Sequence, residues 1–177
     1  MKKVLLVFAH PDLTASRINK ALLAAAQNIE GVIVSNLYAK YPDFKIDVKA
    51  EQTLLLQADI IILQHPFYWY SSPALLKEWI DLVFLKGFAY GKNGDLLKSK
   101  ILVSTISADG SFEGYQQTGY NLYTIKELLR PFELTARYCQ MHYGDPFVVY
   151  NTDNVTDDEL EAKALGYKDF INVHLKK

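Results

Sequence analysis

The chain has a single cysteine, Cys139, among its 177 residues, and this scarcity excludes two kinds of protein. One thiol can form neither an internal disulfide framework nor a metal site built from several cysteines. The formal net charge is only −1, and no long basic stripe occurs. Nucleic acid or an anionic membrane surface is therefore disfavoured as the main partner. No apolar run reaches the roughly 20 residues needed to cross a bilayer, so we expect no membrane insertion.

Several common nucleotide-binding and catalytic patterns are also missing. No G-x-G-x-x-G follows the first apolar run, which disfavours a Rossmann-type NAD site, and there is neither a P-loop nor a G-x-S-x-G elbow. The four histidines lack metal-ligand spacing, so we predict no metal site. The N-terminal apolar run is only one strand long and has no cleavage-like segment after it. We therefore expect no signal peptide and a cytoplasmic protein.

Apolar runs typical of buried strands alternate with helical patterns along the chain. The predicted strands are Val4–Phe8, Val32–Leu37, Ile60–Leu63, Ile101–Ile106 and Phe147–Tyr150. The predicted helices are Ser16–Asn28, Pro73–Leu85, Asn121–Leu129 and Asp157–Leu175, and Tyr38–Gln52 is predicted as a turn followed by extended chain. Alternation of this kind indicates parallel strands joined by right-handed crossovers. We predict one α/β domain over residues 1–177, a flavodoxin-like doubly wound five-stranded parallel sheet in the order 2-1-3-4-5.

Polar residues follow the first predicted strand, where a helix begins. His10 ends the strand, and Ser16 is a good N-cap for the helix that follows. The free N–H groups of a helix N-terminus favour an anion, and His10, Ser16 and Asn19 add side-chain donors there. The loop, with Arg17 and Ile18, is thus a candidate phosphate site. The alternative is an ordinary strand-to-helix connection with a polar cap.

Four consecutive aromatic residues follow the third predicted strand, where loops are usually polar. They are Phe67, Tyr68, Trp69 and Tyr70. A planar heteroaromatic ring needs flat apolar contacts and backbone N–H groups at its edge, and this loop can supply both. The alternative is that these side chains pack in the core or against another subunit.

Small residues follow the fourth predicted strand, where a backbone can approach a ligand closely. They are Ser107, Ala108, Asp109 and Gly110; taken alone they are a weak signal, and the alternative is a plain turn. In an open α/β sheet, loops at the carboxyl ends of the strands meet at one edge. A phosphate site, a ring platform and a small-residue wall together are what flavin mononucleotide (FMN) requires.

Motifs along nearly the whole chain carry a family resemblance. The first is Ala9-His10-Pro11 with Ser16 and Asn19. The later ones are Tyr41-Pro42-Asp43-Phe44, Gln64-His65-Pro66, Trp79-Ile80-Asp81 and Gly87-Phe88-Ala89-Tyr90-Gly91. With these motifs the chain resembles the NAD(P)H:quinone oxidoreductase family of flavodoxin-like proteins. It is most similar to the small bacterial ancillary reductases of glutathione-regulated potassium efflux systems and to their general-stress relatives.

The resemblance implies an FMN enzyme that reduces quinones by two electrons, with NADH or NADPH as co-substrate, in a ping-pong reaction. The chain has no obvious extra segment to hold an adenosine, which favours FMN over FAD. The resemblance also implies a homodimer with active sites at the subunit interface, and it raises a potassium-efflux transporter as a partner. We expect Tyr68–Tyr70 and the segment Lys86–Gly91 to form the apolar surface of that dimer.

The chain departs from the family pattern at two places. The third flavin loop usually reads Thr-Thr-Gly-Gly, whereas here Asp109 replaces a glycine; we expect its carboxylate to face solvent, because burying an unpaired charge is costly. Tyr115 matches a catalytic tyrosine of the family, but Gln117 stands where a histidine is usual, and glutamine cannot take up a proton. Azo and nitroaromatic reduction, a flavin-loaded regulatory subunit of a transporter, and a one-electron carrier of flavodoxin type are the alternatives.

Overall fold

Parallel strands form the centre of the computed structural model, which describes residues 2–176. They are β1 (Val4–Phe8), β2 (Val32–Asn36), β3 (Ile60–Pro66), β4 (Ile101–Ser107), β5 (His142–Tyr143) and β6 (Phe147–Val149). The order is β2-β1-β3-β4-β5, with β6 also paired to β4. Every residue of β1 and β3 is buried, as expected for strands covered on both faces. Met1 and Lys177, the two ends of the predicted domain, lie outside the described residues.

Helices cover both faces of the sheet. They are α1 (Arg17–Ala26), α2 (Leu37–Lys40), α3 (Val48–Gln57), α4 (Ala74–Val83), α5 (Ile125–Leu128), α6 (Arg130–Tyr138) and α7 (Asp157–Lys176). On one face, Leu22 of α1 and Tyr167 of α7 belong to the core that also holds Leu6 of β1. On the other, Trp79 of α4 belongs to the core that also holds Leu5 and residues of α3 and α6. Among residues 2–176, no helix combines the length and the apolar character needed to cross a membrane.

The predicted flavodoxin-like sheet and its strand order are confirmed, but two local predictions are wrong. The segment Tyr38–Gln52 is not extended after its turn, since it contains most of α2 and the start of α3. The Asp47 side chain caps α3 by accepting a hydrogen bond from the Ala50 N–H at 3.0 Å. The predicted helix Asn121–Leu129 is helical only over α5, because residues 121–123 form an irregular segment ahead of the Thr124 cap. Helix α6 was not predicted, and the fifth strand, predicted as Phe147–Tyr150, is present as β6 with the short β5 ahead of it.

The strand register places the functional loops at one edge of the sheet. Phe8 lies beside Gln64, and Pro66 lies beside Ser107, so β1, β3 and β4 end at neighbouring positions. Strand β6 ends beside them, since Val149 pairs with Ser107. Four loops therefore leave the sheet together, at the edge where ligands bind in open α/β folds.

Candidate functional site

A polar cleft of about 250 Å³ lies at the N-terminus of α1. All five predicted phosphate-site residues line it: His10, Ser16, Arg17, Ile18 and Asn19. Ser16 is the N-cap, and its hydroxyl oxygen accepts a hydrogen bond from the Asn19 N–H at 3.2 Å. The first N–H groups of a helix have no partner within the helix, so this end of α1 can bind an anion.

The ring of His10 is prepared to donate one hydrogen bond into this cleft. Its Nδ1 accepts the Asp12 N–H at 3.1 Å, so the proton of the neutral ring is on Nε2. Burial lowers the pKa of His10, and the nearby Asp12 carboxylate offsets only part of that effect. The imidazole is therefore neutral at pH 7 and acts as a hydrogen-bond donor rather than as a cation.

Asn19 connects the polar cleft to the loop after β4. Its Nδ2 donates to the Ser107 hydroxyl at 2.8 Å, and its backbone carbonyl accepts from Gln64 Nε2 at 3.2 Å. The Asn19 Oδ1 is buried and has no hydrogen-bond partner within the described residues. A buried amide oxygen without a partner is costly, so Asn19 holds this position at the expense of one unmade hydrogen bond.

The Arg17 and Ile18 side chains make structural contacts with other parts of the fold. The Arg17 guanidinium bonds to Asp157 at 2.5 Å and to the carbonyl of Val155, tying α1 to the start of α7. Ile18 packs in the core on the α1 face of the sheet. These two residues can therefore contribute mainly the backbone of the first helical turn to an anion.

An aromatic cleft of about 560 Å³ adjoins the polar one. The four aromatic residues predicted as a platform line it together: Phe67, Tyr68, Trp69 and Tyr70. Tyr115, Tyr120, Asn121, Asp109 and Gly110 complete its walls. The Tyr70 hydroxyl donates to Asn121 Oδ1 at 3.1 Å, which joins the aromatic loop to the opposite wall.

The backbone of the aromatic loop is strained. Trp69 and Tyr70 have φ values of 48° and 61°, in the left-handed region that bulky residues avoid. Such a residue costs on the order of 1–3 kcal/mol and persists only where its surroundings enforce it. Here the Phe67 N–H bonds to the Ser107 carbonyl at 2.8 Å, and the Ser71 N–H bonds to the Tyr68 carbonyl at 2.9 Å. Strain held in this way is characteristic of a binding site.

Gly110 is required by the close approach of the aromatic wall. A Cβ at this position would lie 2.6 Å from the Tyr120 hydroxyl and 2.7 Å from the Tyr115 ring. The small-residue wall expected from the sequence is thus present at Gly110. Ser107 lines the polar cleft, whereas Ala108 is buried and its N–H bonds to the Val149 carbonyl at 2.9 Å.

Of the two predicted catalytic residues, Tyr115 and Gln117, only Tyr115 lines the aromatic cleft. Burial, followed by the neighbouring Tyr120 and Tyr70, raises the pKa of Tyr115 to about 12, so its hydroxyl stays protonated. Gln117 is exposed and does not line the aromatic cleft. The pKa of the nearby Glu127 carboxyl is lowered chiefly by the Thr124 N–H and hydroxyl, with Arg130 and Gln117 as smaller causes.

Several lining residues were missed by sequence reasoning. Tyr120 and Asn121 enter the aromatic cleft from an irregular segment, and Thr152 and Asp153 enter the polar cleft from the turn after β6. The position of Thr152 after the last strand was the available signal, because that strand ends at the same edge as the other three. Asp109 is exposed but lines both clefts, and its carboxylate accepts from the Thr152 hydroxyl at 2.6 Å.

Comparisons with known proteins agree with this architecture. The chain is 47% identical over 169 residues to the glutathione-regulated potassium-efflux system ancillary protein KefG of Serratia proteamaculans, covering 96% of this chain and 92% of the relative. General stress protein 14 from Treponema denticola, solved in complex with FMN, superimposes with a TM-score of 0.93 at 37% identity, covering 97% of this chain and 98% of that one.

An NADPH-quinone reductase from P. pentosaceus superimposes with a TM-score of 0.87 at 34% identity, covering 95% of this chain and 96% of that one. The family model described as a flavodoxin-like fold matches residues 2–171. Nearly the whole described chain, with both clefts, falls inside that match, and the chain therefore belongs to the flavodoxin-like family.

Proposed function

We propose that this protein is an FMN-dependent NAD(P)H:quinone oxidoreductase that works by two-electron, ping-pong hydride transfer. The observation that carries the proposal is the meeting of an aromatic cleft with a polar cleft at the N-terminus of α1. The first suits a flat ring and the second a phosphate group. The FMN in the Treponema denticola relative and the description of the P. pentosaceus relative as an NADPH-quinone reductase support the same reading.

The residues present fit FMN. Ser16, the Nε2 of His10 and the first N–H groups of α1 would hold the phosphate. Tyr68–Tyr70 and Gly110 would contact the ring. The polar cleft is small, which favours one phosphate over the longer diphosphate and adenosine of FAD. When bound, FMN supplies the hydride-accepting and hydride-donating chemistry.

The side chains of the aromatic cleft are suited to admitting two substrates in turn. Trp69 is 93% exposed and Tyr120 is 72% exposed, so flat aromatic surface faces the entrance where a nicotinamide and then a quinone could stack. Tyr115 lines the cleft with a hydroxyl that stays protonated at neutral pH. It can therefore donate a hydrogen bond to negative charge that develops on the reacting ring or quinone oxygen.

A steady-state assay tests the proposed activity. FMN-loaded protein should oxidise NADH or NADPH rapidly only when a quinone is present, and double-reciprocal plots at several quinone concentrations should be parallel. Azo dyes and nitroaromatic compounds belong in the same panel, because they would use the same open cleft. Intersecting lines would contradict the ping-pong order, and inactivity with every acceptor and both nicotinamides would contradict the enzyme assignment.

Removal of the proposed phosphate-binding side chains should weaken the binding of FMN. His10→Ala and Ser16→Ala should each raise the dissociation constant about ten- to a hundredfold, since losing a hydrogen bond to a charged group costs on the order of 1.5–3 kcal/mol. Fluorescence titration measures the effect. Ser16→Gly separates two roles, because glycine is tolerated as an N-cap but lacks the hydroxyl. An unchanged dissociation constant in His10→Ala and Ser16→Gly would remove both residues from the site; His142→Asn, far from the clefts in an exposed strand, is the control.

We further propose that the protein forms a homodimer through the aromatic surface around the cleft. Three side chains of the cleft wall are exposed aromatics: Trp69, Tyr70 and Tyr120. The segment Lys86–Gly91 contributes less than expected from the sequence, because Phe88 and Ala89 are buried in the core of their own chain. Contiguous apolar surface of this kind usually marks an interface.

Light scattering at assay concentration should therefore give twice the chain mass. Trp69→Asn should weaken the dimer by about thirtyfold or more, the cost of removing an aromatic anchor, while asparagine tolerates the left-handed backbone at this position. Leu165→Ser is the matched control, because Leu165 is 59% exposed on α7, away from the cleft. A monomeric wild type with full activity would contradict the proposal.

A second role is supported by the 47% identity to the potassium-efflux ancillary protein. In that role the FMN-loaded protein would be a regulatory subunit bound to a potassium-efflux transporter. Co-purification with the transporter encoded in the same genome, and potassium efflux measured with and without the protein, distinguish regulation from a stand-alone reductase.

A further inference from the structure

Asp109 lies where the aromatic and polar clefts meet. Tyr68 and Asp109 are the residues that line both of them. A ligand with its ring in one cleft and its phosphate in the other must pass this point, so the groups that connect ring and phosphate lie beside these two side chains.

Two loops fix the position of the Asp109 carboxylate. Its Oδ1 accepts the Thr152 hydroxyl at 2.6 Å, which links the loop after β4 to the turn after β6. The backbones of the same loops are joined by the Asn151 N–H, which donates to the Gly110 carbonyl at 3.0 Å. Asp109 is therefore exposed but held in place from both sides.

The chemistry of a carboxylate decides what it can bind at this junction. A carboxylate accepts hydrogen bonds and repels other anions, so it is a poor neighbour for a phosphate and a good one for hydroxyl groups. The ribityl chain of a flavin carries several hydroxyls between ring and phosphate. Resting on the proposed flavin site, we infer that Asp109, positioned by Thr152, binds the hydroxyls of the ribityl chain and selects ligands with a polyhydroxylated linker.

The neighbouring Tyr68 is consistent with this role. Burial, and after it the negative charge of Asp109, raises the pKa of Tyr68, so its hydroxyl remains protonated. The junction thus offers one strong acceptor and one hydroxyl that both donates and accepts, which matches the needs of a row of alcohol groups.

Fluorescence titration with three flavins tests this assignment, because each successive flavin lacks one more part of the molecule. FMN has the ring, the ribityl chain and the phosphate; riboflavin lacks the phosphate; lumiflavin has the ring alone. Asp109→Ala should raise the dissociation constant of riboflavin about ten- to a hundredfold and change that of lumiflavin by less than twofold. The affinity for FMN should fall less than the affinity for riboflavin, because the substitution also removes a repulsion between the carboxylate and the phosphate.

Two further variants separate charge from hydrogen bonding. Thr152→Val keeps the side-chain shape but removes the hydrogen bond to the Asp109 carboxylate. It should therefore lower the affinity for riboflavin by part of the amount seen in Asp109→Ala and leave the affinity for lumiflavin unchanged. Asp153→Ala removes a negative charge from the polar cleft alone, so it should tighten FMN slightly and leave riboflavin unchanged. Equal weakening of all three flavins by Asp109→Ala, or unchanged riboflavin binding, overturns the role of Asp109 while leaving the flavin site intact. Failure of the wild type to bind any of the three overturns the flavin site and this inference together.

Discussion

Replacing Glu51 with alanine should lower the free energy of unfolding by about 3–5 kcal/mol, because each buried donor left without an acceptor costs about 1–3 kcal/mol. Glu51 is fully buried and pairs with Lys40. Its carboxylate also accepts from the Tyr41 hydroxyl at 2.8 Å, from Trp79 Nε1 at 2.9 Å and from the Ser35 hydroxyl at 3.0 Å. Alanine leaves the three buried donors, Ser35, Tyr41 and Trp79, without this acceptor, whereas the half-exposed Lys40 keeps its hydrogen bond to the Ser35 hydroxyl at 3.2 Å.

Urea unfolding measures the loss. Glu51→Gln should be intermediate, because the amide preserves the shape and one acceptor oxygen but directs an NH₂ group at other donors. Glu78→Ala is the matched control, since Glu78 is exposed on α4 beside Trp79, and it should change stability by no more than about 0.5 kcal/mol. Equal losses in Glu51→Ala and Glu78→Ala would show that the buried network does not stabilise the fold.

Glu51 also explains why α3 could not be recognised from the sequence. A helix that packs on a sheet is identified by apolar residues at helical spacing, and α3 buries a carboxylate where that pattern requires an apolar side chain. The donors that make this burial possible come from β2, the segment after it, and α4, which are distant in sequence. Only the tertiary structure brings them together.

The clefts were predictable in so far as they depend on strand ends. A buried apolar run such as Val4–Phe8 indicates where a strand stops, and the fold class then places the following loop at the ligand edge. His10, Trp69 and Gly110 were found in this way. Tyr120 follows no strand, and its place opposite Gly110 results from the path of an irregular segment, for which periodicity gives no information.

Stability should also fall as the pH decreases from about 6.5 to 4, because of His65. This residue of β3 is fully buried, with its ring against Phe132 at a centroid distance of 5.7 Å. Its Nδ1 contacts the Pro66 carbonyl at 2.8 Å and must donate the proton, because a carbonyl can only accept. The buried Nε2 has no partner within the described residues, so nothing there would stabilise a second proton.

Burial lowers the pKa of His65 from 6.5 to about 4 in the folded protein. Below pH 6.5 the unfolded chain therefore binds a proton that the folded protein does not, and protonation favours unfolding. The contribution is fully present above pH 6.5, is lost as the pH falls, and stops changing below about pH 4, where both states are protonated. The difference between the two pKa values corresponds to about 3 kcal/mol.

Urea unfolding at pH 7.5 and pH 4.5 should show this contribution as a difference between variants. His65→Phe keeps an aromatic ring against Phe132 but cannot titrate, so the wild type should lose about 2–3 kcal/mol more than this variant between the two pH values. Carboxylates and His10 are common to both proteins, and their effects cancel in the comparison. His142→Asn removes an exposed histidine but keeps His65, so it should lose as much stability as the wild type. If His65→Phe loses as much as the wild type over the same interval, the imidazole of His65 is not the group whose protonation opposes folding.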